Sequence, residues 1–165
     1  MFVHLPVNHP LRGLYRFLGC VTGLYVLAFG CYGLVISWGH PVFARAALTA
    51  LGLHTNPAFA VLSIAVGLVV VAAALIGRNV AFYVFLVGGM VFLVSGMAML
   101  AVMQTGLNLL NFNVTTCVVS FVIGLVLSTC GLYTQTASRE QEEAAHRRRY
   151  TPPATATQRT GTGGR

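Results

Sequence analysis

Residues 58–102 read AFAVLSIAVGLVVVAAALIGRNVAFYVFLVGGMVFLVSGMAMLAV and contain two apolar runs, 58–76 and 80–102, on either side of Gly77-Arg78-Asn79. A helix needs about 20 apolar residues to cross a hydrocarbon core that is roughly 30 Å thick. Both runs have about this length, and neither contains Asp, Glu, Lys, Arg or His. Because the linker is so short, the two runs are predicted to form a hairpin of antiparallel membrane helices.

Two further apolar runs of this kind flank the hairpin, at 17–38 and 114–133. They also lack Asp, Glu, Lys, Arg and His, and one central Arg would cost about 2.5–3.5 kcal/mol on insertion scales. The chain of 165 residues is 56% hydrophobic and 8% charged, whereas soluble domains average about 25% charged residues. The predicted fold is therefore an all-α membrane protein, an antiparallel bundle of four transmembrane helices over residues 14–133.

The arginines predict the orientation of this bundle. Seven of the nine arginines on the side of both termini lie nearest the spans, and only Arg45 lies on the other side. The seven are Arg12, Arg16, Arg78, Arg139, Arg147, Arg148 and Arg149. Cytoplasmic loops are enriched in Arg and Lys, so both termini are predicted to be cytoplasmic, in a plasma membrane. The basic residues form no face interleaved with aromatics, so we expect no nucleic-acid partner.

The loops and termini carry further predictions. Residues 1–13 form a short cytoplasmic arm. In the first outer loop, apolar side chains from Phe43 to Leu51 recur near helical spacing and predict a short helix in the membrane interface. Asn56 and Asn113 directly precede spans and are predicted N-caps. A cleaved signal peptide is the alternative for the first span, but its run of about 22 apolar residues exceeds the usual 7–15.

The C-terminal segment changes in character after span four. Residues 134–150 are predicted to form a polar cytoplasmic helix, and residues 151–165 contain too little apolar surface to fold and are predicted to be disordered. Arg147, Arg148 and Arg149 would attract anionic lipid of the inner leaflet at about 1 kcal/mol each. Phosphorylation of Thr151 would offset that charge. The alternative is that these arginines act only as a topology signal and that the tail after them is unstructured.

Small residues recur at near-heptad spacing in all four spans. Lipid supplies no hydrophobic force between helices, so close backbone approach through small residues drives their association. The residues expected at helix–helix contacts are Gly19, Gly23, Gly30, Gly67, Gly89, Gly96, Ser120, Gly124, Ser128 and Gly131. The alternative is a polar pathway lined by Ser and Thr, although no ionisable group accompanies these stripes.

Residues that could carry chemistry are few. The spans lack the intramembrane charge of proton-coupled transporters, intramembrane proteases and voltage sensors, so we expect no catalytic residue and no cofactor. His40 and His54 could bind haem or a metal at the outer surface, or could be ordinary loop histidines, since no Cys or carboxylate lies near them.

Cys31 and Cys117 fall in the outer third of spans one and four. They could form a disulfide, or be small hydrophobes in the bundle.

Three stretches resemble a known family: residues 50–58 (ALGLHTNPA), Gly77-Arg78-Asn79, and residues 110–114 (LNFNV) leading into a Gly-rich span that ends at Tyr133. They are similar to actinobacterial four-helix integral membrane proteins of domain-of-unknown-function family 4383. The resemblance covers roughly residues 11–135 and implies the fold and an actinobacterial plasma membrane, but no activity. Relatives often carry a His at the start of the last span, where this chain has Thr116, Cys117 and Ser120.

Three functions follow as hypotheses. The first is a non-enzymatic structural or accessory subunit that packs against a membrane-protein partner, or against a second copy, through its glycine faces. The second is a carrier or binding protein for a small apolar molecule, a quinone or a lipid, within the bundle. The third is a redox membrane protein that uses Cys31 and Cys117, or His40 and His54.

Overall fold

The computed structural model describes residues 10–44, 48–105, 108 and 110–136. Within them lie four α-helices and one two-stranded hairpin: α1 (Arg12–Ile36), β1 (Thr49–Ala50), β2 (Leu53–His54), α2 (Pro57–Ile76), α3 (Arg78–Val102) and α4 (Val114–Thr134). Each α-helix is long and apolar enough to cross a membrane. The prediction of four membrane-spanning helices is confirmed in the number, length and composition of the helices.

The terminal predictions fall mainly outside this part of the chain. α1 begins at Arg12, earlier than the predicted start of the span at Phe17. α4 ends at Thr134, and Gln135 has an extended backbone, so a continuous helix does not run on through 135–136. The rest of the predicted polar helix, the tail with Arg147, Arg148, Arg149 and Thr151, and the arm before residue 10 lie outside the described residues.

Asparagine caps begin two of the helices. The Asn56 Oδ1 accepts a hydrogen bond of 2.8 Å from the Phe59 N–H, and Pro57 occupies the first helical position, where no N–H is needed. The Asn113 Oδ1 accepts a 2.8 Å bond from the Thr116 N–H at the start of α4. Both predicted N-caps are therefore confirmed.

One residue, Gly77, links α2 to α3. Its φ of 68° lies in the left-handed region, which a side chain disfavours. Arg78 follows with φ 52° and is already the first residue of α3. The link between α2 and α3 thus consists of about two residues with positive φ.

The predicted interfacial helix is wrong for the described part of the first loop, 39–44 and 48–56. β1 pairs antiparallel with β2, with Thr49 opposite His54 and Ala50 opposite Leu53. The turn residues Leu51 and Gly52 have φ of 48° and 82°. Two successive positive φ angles match the twist of a two-residue hairpin. The helical spacing of apolar residues did not predict this turn, because the turn depends on the positive φ angles of Leu51 and Gly52.

Glycines form the contact between α1 and α2, called the α1–α2 seam. A Cβ built on Gly23 would lie 2.8 Å from the Val70 side chain, and one on Gly30 would lie 2.8 Å from the carbonyl oxygen of Ala60. From the other side, a Cβ on Gly67 would lie 2.6 Å from the backbone N of Leu27. The two backbones approach so closely that only glycine fits at these positions.

A second set of glycines forms the α3–α4 seam. A Cβ built on Gly89 would lie 2.7 Å from the carbonyl oxygen of Gly124, and one on Gly124 would lie 2.9 Å from that of Gly89. Farther along, Gly131 meets the backbone of Leu86, and Gly96 meets the Phe121 ring. Each helix pair is therefore joined by backbone-to-backbone contact.

Fewer contacts join the two helix pairs. Gly19 of α1 lies against the ring of Phe85 in α3. At the end of the bundle that carries Gly77, called the turn end, the rings of Tyr15 and Tyr133 stack with centroids 4.7 Å apart. At the opposite end, called the loop end, the Asn111 Nδ2 donates a 3.3 Å hydrogen bond to the Thr55 carbonyl. Side chains, rather than backbone, thus provide these links.

We expect Gly124→Leu to lower the free energy of unfolding by at least about 2 kcal/mol, since overpacking costs about 1–3 kcal/mol and the Gly89 carbonyl is fixed in its own helix. The change in the free energy of unfolding is measured from the loss of helical circular dichroism on heating in detergent. The control Val122→Leu, whose side chain is 54% exposed, should stay within about 0.5 kcal/mol of the wild type. Equal losses in the two variants would contradict the seam.

Candidate apolar binding cleft

A cleft of about 640 Å³ separates α2 from α3. Its rim consists of exposed side chains on these two helices, such as Val69 and Val87, and its floor includes buried Phe29 of α1 and Ser120 of α4. α2 and α3 contact each other far less than the helices within each seam. The cleft therefore opens sideways, through the gap between α2 and α3.

The cleft extends over much of the helix length. Its lining runs from Phe59 to Val70 on α2 and from Tyr83 to Ser95 on α3. At 1.5 Å per residue, each stretch covers about 17 Å. This is slightly more than half of a hydrocarbon core roughly 30 Å thick, or about one leaflet.

Aromatic rings close the cleft at the loop end. The centroids of Phe29 and Phe59 are 5.2 Å apart, and those of Phe59 and Phe112 are 4.8 Å apart. Buried Leu53 of the hairpin joins this aromatic roof. Asn108 fixes the loop above it, because its Oδ1 accepts from the Phe112 N–H and its Nδ2 donates to the Phe112 carbonyl, both at 2.8 Å.

A well-packed apolar core closes the turn end. It contains Ala74, Ala81 and Phe85, all buried. Beside it, Arg16 of α1 donates from Nη2 to the Ala74 carbonyl at 2.8 Å and to the Leu75 carbonyl at 3.2 Å, and from Nε to the Ala74 carbonyl at 3.2 Å. These carbonyls end α2 and have no partner within the helix. The Arg16 guanidinium also lies where a Cβ on Gly77 would be, so Arg16 fastens the Gly77 turn to α1.

The lining of the cleft is almost entirely hydrocarbon. None of its residues is Arg, Lys, His, Asp, Glu or Cys. The polar residues in its lining are Tyr25, Tyr83, Ser63, Ser95, Thr116 and Ser120, which carry only hydroxyl groups. Such a surface suits an uncharged apolar molecule and offers no nucleophile paired with a base.

The predicted histidine site has no support in the geometry. His40 is exposed in the segment after α1, and His54 is half-buried on β2, opposite Thr49. Among the described residues, no three His, Cys, Asp or Glu side chains come close enough to hold a metal ion.

A disulfide between Cys31 and Cys117, one of the two alternatives for these residues, is absent from the structure. All four cysteines are free thiols. Cys31 lies on the exposed face of α1, whereas Cys117 is buried, with its carbonyl oxygen against Gly96 of α3. Equal depth in the bundle is not enough for pairing, because the two side chains point to different surroundings. Cys117 therefore fills space in the core.

The expected packing residues lie inside the bundle. Eight glycines of that set each meet another helix of the same chain: Gly19, Gly23, Gly30, Gly67, Gly89, Gly96, Gly124 and Gly131. Ser120 is buried and donates to the Thr116 carbonyl at 2.9 Å, and the Ser128 backbone lies against Gly89.

Sequence reasoning missed Gly88 and the cleft that it lines. A Cβ built on Gly88 meets nothing within 4 Å, although Gly89 beside it is tightly packed. Two adjacent glycines point to different faces of a helix, so only one of them can serve a seam. That duplication is the signal in the sequence that could have identified Gly88.

No protein-family model, curated protein or solved structure matches the chain. The resemblance to family 4383 therefore stays a prediction, and the site has to be interpreted from its own geometry.

Arg16→Met should destabilise the bundle by about 1–3 kcal/mol, because it leaves carbonyls at the end of α2 without their donor while keeping an apolar stem of similar length. Thermal unfolding in detergent measures the loss. Arg12→Met removes an exposed Arg from the same helix and serves as the control. If the two variants unfold at the same temperature, Arg16 does not fasten the turn.

Proposed function

We propose that this protein is a multi-pass plasma-membrane protein that holds a small apolar molecule, a quinone or a lipid, between α2 and α3. The cleft carries the proposal: its volume of about 640 Å³ falls within the range of about 300–1,000 Å³ typical of small-molecule sites. Its walls are apolar, and in a bilayer its open side faces acyl chains. No catalytic step is part of this proposal.

The order of contacts supports an antiparallel bundle with both termini in the cytoplasm. Along α1 from Gly23 to Gly30, the contacts on α2 move back from Val70 to Ala60. This places Arg12, Arg16 and Arg78 at the turn end. In a cell the positive-inside rule directs that end to the cytoplasm.

A reporter fused after residue 165 should therefore be active only as a cytoplasmic reporter. Reporters inserted at residues 45 and 108 should be active only on the outer side, because the loop end then faces out. A C-terminal fusion that is active outside would overturn the topology.

The glycine contacts weigh against the accessory-subunit hypothesis as first framed. That hypothesis requires glycine faces directed at a partner, yet the eight packed glycines meet helices of their own chain. A membrane-protein partner or a second copy would have to bind the larger exposed side chains instead. The redox hypothesis is also weakened, because Cys31 and Cys117 are unpaired thiols.

Three further expectations remain proposals. The resemblance to family 4383 suggests an actinobacterial plasma membrane. Arg147, Arg148 and Arg149 would hold the tail near anionic lipid of the inner leaflet. A phosphate on Thr151 would weaken that attraction.

Blocking the cleft tests the proposed function. Gly88→Leu places a side chain in open space within the cleft, so the protein should fold but lose at least tenfold in affinity for an apolar ligand. The probe is a benzoquinone with a single decyl chain, titrated into lipid nanodiscs, with binding detected as a rise in unfolding temperature.

Two control variants separate blocking of the cleft from the loss of a helical glycine and from the addition of a leucine to α3. Gly88→Ala adds only a methyl group and should bind like the wild type. Ala98→Leu adds the same leucine to an exposed position of α3 that does not line the cleft, and it should also bind normally. Normal binding by Gly88→Leu, or a wild type that binds neither the quinone nor a lipid, would refute the cleft as the ligand site.

A further inference from the structure

Three serines from three helices line the cleft at nearly the same depth. Ser63 lies six residues after the start of α2, Ser120 six residues after the start of α4, and Ser95 seven residues before the end of α3. At 1.5 Å per residue, all three lie about 9–11 Å from the loop end of their helices. These residues are called the serine ring.

The hydroxyls of the serine ring can still bind a ligand. The Ser63 Oγ donates to the Phe59 carbonyl at 2.8 Å, and the Ser120 Oγ donates to the Thr116 carbonyl at 2.9 Å. Each oxygen keeps lone pairs that can accept a further bond. Ser95 is half-buried and forms no hydrogen bond with the described residues, so its hydroxyl can donate to an acceptor in the cleft.

Aromatic side chains surround this polar level. Phe59 and Phe112 of the aromatic roof lie between the serine ring and the loop end, while Phe29 and Phe92 line the cleft from α1 and α3. Aromatic rings favour offset or edge-on packing against another planar ring. A planar headgroup of a ligand bound at this level would therefore contact both serine hydroxyls and aromatic rings.

The rest of the cleft is suited to a hydrocarbon chain. From the serine ring it continues towards the turn end, to Val70 on α2 and to Tyr83 on α3. These stretches are about 10 Å and 18 Å long at 1.5 Å per residue. No formal charge lines them, and a charged ligand without a partner would be strongly disfavoured at this depth.

We infer that the cleft takes a neutral single-chain lipid with a planar, carbonyl-bearing ring, the chemistry of a membrane quinone. Its ring lies at the serine ring, where Ser95 donates to a carbonyl oxygen, and its chain lies along α2 and α3 towards the turn end. The aromatic roof closes the loop end, so the ligand comes in sideways from the bilayer. This inference rests on the proposed function and specifies its ligand.

A matched pair of probes tests the role of the ring carbonyls. A benzoquinone with one decyl chain is compared with decylbenzene, which has a planar six-membered carbon ring and the same chain but no carbonyl oxygen. In nanodiscs, the wild type should bind the quinone about fivefold more tightly, since one net hydrogen bond contributes about 1 kcal/mol. Ser95→Ala should weaken quinone binding by about that factor and leave decylbenzene unchanged. Ser95→Thr, which keeps a hydroxyl, should retain the preference.

The outcomes separate this inference from the proposed function. Equal binding of both probes by the wild type, or equal quinone affinity of the wild type and Ser95→Ala, overturns the quinone assignment and leaves the cleft as a site for any apolar chain. Preference for a two-chain phosphatidylcholine over the quinone also overturns it. If the wild type binds neither probe nor a lipid, both proposals fail. The unfolding temperature of each variant without ligand shows that the Ser95 variants are folded.

Discussion

Close backbone contact through glycine holds the helices of this bundle together in pairs. Inside a bilayer the helices gain nothing from hiding apolar surface, so they associate through packing at short range. Gly67 of α2 meets the backbone of Leu27, and Gly89 and Gly124 meet across α3 and α4. The bundle is consequently two tightly joined helix pairs rather than four equivalent helices.

This pairing determines where the cleft lies. Glycine brings α1 to α2 and α3 to α4, whereas the lining of the gap between α2 and α3 is mostly Val, Leu and aromatic side chains. Larger side chains hold the helices apart, and the turn at Gly77 joins them at the turn end. An open-sided space with a polar level near one end follows from these contacts.

The sequence predicted the parts of this architecture that depend on local chemistry. Apolar runs of span length predicted the four helices, and Asn56 and Asn113 predicted the N-termini of two of them. The β1–β2 hairpin was missed because it depends on positive φ at Leu51 and Gly52, which helical spacing cannot reveal. The cleft was missed because small residues indicate close approach but do not say which helix pair lacks it. The two alternatives for Cys31 and Cys117 stayed open for a similar reason, since equal depth says nothing about the helix faces on which they lie.

We propose that the glycines hold the helices of one chain together and leave the α2–α3 cleft for a lipid. Native mass spectrometry of the protein, released from membrane vesicles in mild detergent, tests it most directly. We expect a single chain that retains one neutral molecule with the mass of a single-chain lipid. A chain released without such a molecule, or one that retains only a second copy or another protein, would contradict it.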